Sequence, residues 1–87
     1  MFENLIVKHM TGRTGEPVIN QFSIETEEGN YFQSYRTMVA FKPIGGEVIL
    51  DTNAWEYSRT TTKYLRQWLD QRGRIMDKED YQYQNLN

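Results

Sequence analysis

The residues best suited to chemistry stand close together, in Tyr57-Ser58-Arg59-Thr60-Thr61-Thr62-Lys63. Ser58 or Thr60 is placed to cap a helix, its hydroxyl accepting a hydrogen bond from an otherwise unpaired backbone N–H. Free amides, the positive end of the helix dipole and the cations Arg59 and Lys63 would then converge. That is the chemistry of an anion site, for phosphate or carboxylate. Capping alone also accounts for the hydroxyls, with Tyr57 and Thr61 packing against a neighbouring layer. Yet two cations at an end that already favours anions are unusual, since Asp or Glu is the stabilising choice there.

Charge sets this region apart from the remainder of the chain. Arg59, Lys63, Arg66, Arg72 and Arg74 stand against Asp70 alone, so residues 59–74 carry +4 and the rest −6 of a total of −2. Arg59, Lys63, Arg66 and Asp70 fall near one helical face. Such a face can meet nucleic-acid phosphates or an acidic partner surface. It can equally be a solvated face, neutralised by Glu25, Glu27 and Glu28 or by Asp77, Glu79 and Asp80. A second candidate is Tyr31, Phe32 and Tyr35 with Arg36, an aromatic platform of the kind that stacks single-stranded bases. Aromatic side chains in strands more often pack across strands or into a core.

Catalytic inventory is thin. The 87 residues contain no cysteine and a single histidine, His9, which excludes disulfides, thiolate metal sites and a multi-histidine centre. Asp51, Asp70 and the cluster Asp77–Asp80 supply carboxylates, but their spacing fits no metal loop. No phosphate-binding glycine loop, dinucleotide fingerprint or nucleophile elbow is present. The sequence therefore implies a non-enzymatic protein, with no cofactor and no bound metal.

The elements that must position these residues read as one α+β domain over residues 1–87. Phe2 to Met10 is a first strand, closed by a Gly/Pro-rich loop at Thr11–Pro17. Val18 to Glu27 alternates, with Phe22, Ile24 and Thr26 on one face and Ser23, Glu25 and Glu27 on the other. Glu27-Glu28-Gly29-Asn30 is a hairpin turn, with Gly29 and Asn30 supplying positive φ. Tyr31 to Lys42 reads as the longest strand, Pro43–Gly46 as a turn and Glu47 to Asp51 as a short returning strand. Short turns make these neighbours antiparallel. Thr61, Tyr64, Leu65, Trp68 and Leu69 form the apolar stripe of one helix over about residues 59–72, stopped at Gly73. Trp55 and Trp68 belong to the core. Residues 74–87 form a tail or edge strand. The expectation is one antiparallel meander of four to five strands with the helix packed on one face.

Ser34-Tyr35-Arg36-Thr37-Met38-Val39-Ala40, followed by Tyr57-Ser58-Arg59-Thr60-Thr61-Thr62-Lys63-Tyr64-Leu65-Arg66-Gln67-Trp68-Leu69, is an S-Y-x-T-x-x-A strand pattern before a Y-S-x-T-T-x-K-[YH]-x-x-x-[WF]-L helix pattern. In that order they resemble an uncharacterised family of small proteins found in tailed phages and bacterial mobile elements. The closing Tyr81 to Leu86-Asn87 is similar to the Y-x-x-x-x-L-N end of longer members. The resemblance covers residues 31–69 and, with this tail, 31–87. It implies a phage or mobile-element origin and carries no assigned activity.

These readings define the expected function as a small binding module that occupies a surface on a host protein, as anti-defence or host-takeover inhibitors do. The candidate contact residues are Tyr35, Arg36, Ser58, Arg59, Thr60, Lys63 and Arg66. One alternative is a nucleic-acid-binding accessory protein using the basic helix face. Another is a homo-oligomeric assembly part joined through exposed strand edges. No signal peptide or membrane span is legible, so the expected setting is the host cytoplasm, as a monomer or small homo-oligomer.

Overall fold

The computed structural model describes residues 5–70 and 81–87. These form β1 (Ile6–Thr11), β2 (Pro17–Thr26), β3 (Gly29–Ser34), β4 (Thr37–Pro43), β5 (Ile49–Asp51), α1 (Arg59–Asp70) and β6 (Gln82–Gln84). The strands make one sheet in the order β1-β2-β3-β4-β5-β6. Neighbours from β1 to β5 are antiparallel, whereas β5 and β6 run parallel, Leu50 opposite Tyr83. The class is α+β as expected, but the sheet has six strands and is mixed. A parallel neighbour needs a long crossover, and the chain after β5 contains α1 before it returns as β6.

Helix α1 follows its sequence pattern. Thr61, Tyr64, Leu65, Trp68 and Leu69 are its buried residues, the same five as the apolar stripe. Ser58 rather than Thr60 is the cap: its Oγ accepts from the Thr61 N–H at 3.1 Å. Its carbonyl accepts from the Thr62 N–H at 3.0 Å and the Thr62 hydroxyl at 2.9 Å. The expected stop at Gly73, residues 71–72 and the acidic cluster Asp77–Asp80 lie outside the described residues.

The helix covers the face bearing Met10, Phe32, Ala40 and Leu50, each at most 1% exposed. Trp68 is fully buried and tilts against Phe32 at 6.3 Å between ring centroids. Gln67 fixes the helix to the end of β1, accepting from the Thr11 N–H at 3.0 Å and donating to the Thr11 carbonyl at 2.8 Å. Trp55 is only half-buried, packed at the edge of the core beside Tyr83. No helix among the described residues is long and apolar enough to cross a membrane.

Two local expectations are corrected. Asn30 does not take positive φ; the turn is Glu27-Glu28, with Thr26 opposite Gly29. Gly29 is needed because a Cβ there would strike the Lys42 carbonyl. The long strand at Tyr31–Lys42 is two strands, since Ser34 pairs with Thr37 and leaves Tyr35-Arg36 as a two-residue hairpin loop. The alternation of β2, which left the covered face open, is resolved with Gln21 and Ser23 on that face. The apolar set lies on the open face, where Val7, Ile24, Tyr31, Phe41 and Ile49 stand in register across five strands. Tyr31 stacks there on Phe41 at 4.3 Å.

Candidate binding site

The hairpin at Tyr35 and the start of α1 are held together by buried hydroxyls. Ser34 and Thr61, 3% and 2% exposed, share a hydrogen bond of 3.0 Å between Oγ and Oγ1. Ser58 Oγ adds a third hydroxyl, donating to Thr61 Oγ1 at 3.1 Å. The first motif and the helix motif, some twenty residues apart in sequence, thus meet at one point.

From that point the Tyr35 side chain projects outward, 54% exposed. Its backbone adopts φ 56 and its N–H donates to the Asn20 carbonyl at 2.6 Å, where Asn20 itself has φ 67. Positive φ at the first residue of a two-residue hairpin loop is a position that favours glycine. A tyrosine there carries backbone strain of about 1–2 kcal/mol. Arg36 beside it is exposed.

The floor is organised by Asp51, at the end of β5 and 2% exposed. One carboxylate oxygen accepts from the Leu86 N–H at 2.7 Å and from Asn87 Nδ2 at 3.1 Å. The other accepts from the Asn53 N–H at 3.1 Å, the side-chain-to-backbone bond of an Asx turn. Three N–H donors satisfy a buried charge that would otherwise be costly. Asn87 also imitates a strand partner for Met38. Its Oδ1 accepts from the Met38 N–H at 2.8 Å, and its Nδ2 donates to the Met38 carbonyl at 2.9 Å. Of these residues the sequence had marked Asp51 as a carboxylate that fits no metal loop, and Leu86-Asn87 as the end of the closing pattern.

Around this scaffold runs a groove of about 1100 Å³. Its walls include Asn20, Tyr35, Arg36, Asn53, Tyr57, Ser58, Thr60, Asn85 and Asn87, over a floor of Ser34, Val39, Asp51, Ala54 and Thr61. Tyr57, 81% exposed, stands among the lining residues with Tyr35. A smaller groove of about 490 Å³ follows the outer side of α1, lined by Trp55, Glu56, Ser58, Arg59, Thr62, Lys63 and Arg66. Ser58 belongs to both.

The seven sequence candidates therefore divide. Tyr35, Arg36, Ser58 and Thr60 line the larger groove; Arg59, Lys63 and Arg66 line the smaller one with Trp55. The proposed aromatic platform is not formed: Phe32 is buried, Tyr31 is stacked on the open face and Tyr35 sits in the hairpin loop. Of the acids expected to neutralise the basic face, Glu25 pairs with Lys8 at 3.4 Å instead, and Asp77, Glu79 and Asp80 lie outside the described residues. Among the described residues Arg36, Arg59, Lys63 and Arg66 have no acidic partner within ion-pair distance. Lys63 Nζ instead lies over the Tyr64 ring, 5.2 Å from its centroid. Among the described residues no three His, Asp or Glu side chains gather as a metal-ligand set.

Residues 5–84 match the model of a family of unknown function, DUF8033, and the chain belongs to that family. The match takes in β1 and β2, which precede both motifs. No curated protein and no solved structure matches the chain.

Proposed function

We propose that this chain is a small accessory protein of a phage or mobile element that binds a host protein through the groove between the Tyr35-Arg36 loop and the start of α1. It would act by occupying a surface rather than by catalysis. The observation that carries this reading is the pair of exposed tyrosines, Tyr35 and Tyr57, lining one groove with the unpaired Arg36. Tyrosine and arginine dominate protein-binding hot spots, and Asn and Ser supply adaptable hydrogen bonds around them. Here those side chains rise from hydrogen-bonded turns, which lowers the entropy cost of binding. The phage or mobile-element origin is supported by the two motifs, whose residues supply much of that groove.

The test is capture of a host protein by tagged chain and by its Tyr35→Gly and Tyr57→Ala variants, with folding checked by circular dichroism. One protein retained at near-stoichiometric yield by the parent and lost from both variants supports the reading. No retained protein, or equal retention by the variants, refutes it.

A second reading, a homo-oligomeric assembly part, is favoured by edge strand β1. Ile6 and Val7 are 51% and 53% exposed there, and Leu5 just before the strand is 48% exposed; exposed apolar edges template strand pairing. A monomer in sedimentation at high concentration removes it.

A further inference from the structure

We infer that the smaller groove on the outer side of α1 is a second binding surface, for single-stranded nucleic acid. Arg59, Lys63 and Arg66 follow one another at i, i+4 and i+7, on the side of the helix opposite its buried stripe. A rise of about 1.5 Å per residue sets Arg59 and Lys63 about 6 Å apart along the axis and Arg66 about 4.5 Å further. The three form a short row of charges rather than a point. None has an acidic partner among the described residues, and all three are exposed.

Trp55 decides what kind of polyanion the row fits. It lines the same groove, half-exposed, and its other surroundings are the core edge and Tyr83, 5.9 Å away and inclined by 58°. A row of cations beside an aromatic face is the arrangement that tracks a phosphate backbone while stacking an unpaired base. In a duplex the bases are already stacked on one another, and an acidic peptide gains little from an indole face. Among the described residues Glu56 is the one acid lining the groove. Among the described residues three cations stand against Glu56 and, at the far end of the same helical face, Asp70, a small positive excess that fits weak, salt-sensitive binding. Among the described lining residues the surface shares only Ser58 with the tyrosine-lined groove, and its occupancy does not depend on the host-protein reading.

The test uses the whole chain and a fluorescein-labelled oligo-dT of twenty nucleotides, read by anisotropy between about 50 and about 200 mM salt. Three contacting cations predict a log–log slope near −2, at about −0.7 per cation for single strands. Changing Arg59, Lys63 and Arg66 together to Gln should abolish most binding and flatten the slope. Trp55→Leu should weaken binding about tenfold without changing the slope, and Trp55→Phe should keep most of it. Because Trp55 touches the core, thermal melts accompany each variant; the exposed triple variant carries the test where Trp55→Leu fails to fold. No binding at the lowest salt, or binding indifferent to the triple substitution, overturns the inference. So does a hairpin duplex bound as tightly as oligo-dT, or displacement of oligo-dT by a poly-glutamate peptide at equal charge.

Discussion

The hydroxyls of Ser34 and Thr61 meet 3.0 Å apart inside the protein, joining the end of β3 to the first turn of α1. The Tyr35-Arg36 loop and the start of α1, two walls of the larger groove, are tied together by this contact. Tyr35 follows Ser34 directly, and Thr61 is the residue whose N–H the Ser58 cap holds. A buried hydroxyl deprived of its partner costs about 1–3 kcal/mol. Thr61→Val and Ser34→Ala should each lower stability by about that amount in denaturant melts. The double variant should cost less than their sum, because the second substitution removes the orphan left by the first. Strict additivity would show that the contact is incidental.

Tyr35 is the place where local structure and binding pull against each other. Its φ of 56 in a two-residue loop suits glycine, so Tyr35→Gly should leave the melting temperature unchanged or raised. A relief of about 1 kcal/mol corresponds to about 4–8 °C in a domain of this size. Partner binding should be lost in the same variant. Destabilisation by Tyr35→Gly would mean that the tyrosine ring supports the fold.

Asp51 holds the last strand and the residues beyond it. In Asp51→Asn one amide N–H₂ faces donors that previously met carboxylate oxygens, so hydrogen bonds from Leu86, Asn87 or Asn53 are lost. Hydrogen bonds to a charged group contribute about 1.5–3 kcal/mol. Hydrogen exchange should report faster exchange at Leu86 and along β6, with the helix amides at Leu65 and Trp68 slower to respond. Uniform loss of protection across the sheet would place Asp51 in global rather than local stability.

The loop between β1 and β2 provides a pH-dependent marker remote from either groove. The Thr14 hydroxyl and N–H donate to the Glu16 carboxylate, and the hydroxyl foremost, then the backbone N–H groups of Glu16 and Thr14, hold its pKa below the usual carboxylate range. A depressed folded pKa means the interaction is present above the unfolded value and fades as pH falls through the folded one. A carboxyl NMR titration should give Glu16 a midpoint below that of a free Glu side chain, and Thr14→Val should raise it toward the ordinary range, the backbone N–H donors remaining. An unshifted midpoint in the parent protein would contradict this.

The helix was legible because burial and the 3.6-residue period agree: all five stripe residues are buried, and the Ser58 cap precedes the first turn. The hairpin at Tyr35 was not, since Tyr-Arg carries neither the Gly nor the Asn that usually marks a two-residue loop, and the alternation runs across it unbroken. The covered face of β2 was not legible either. Alternation separates Gln21 and Ser23 from Phe22 and Ile24 but does not say which side receives the helix. Here the polar pair is buried, and Gln21, 1% exposed, has no partner for its side-chain amide among the described residues. The division of the candidate residues between two grooves depends on the Ser34–Thr61 contact, a long-range pairing that no local pattern specifies. The floor at Asp51 and Asn87 escaped for the same reason, although the Asx turn at Asp51-Thr52-Asn53 left a readable trace.

The central claim, that the tyrosine-lined groove is the surface that meets a host protein, is tested most directly by site-specific photo-crosslinking. A photoreactive phenylalanine placed at Tyr57, at Arg36 and, as a control, at Val7 on the edge strand is irradiated in bacterial lysate with each chain verified as folded. The account predicts one and the same host protein joined at Tyr57 and Arg36 and absent at Val7. That adduct should disappear when the tyrosine at 35 is replaced by glycine. Adducts at Val7 but not at Tyr57, or the same mixture of proteins at all three positions, would contradict it.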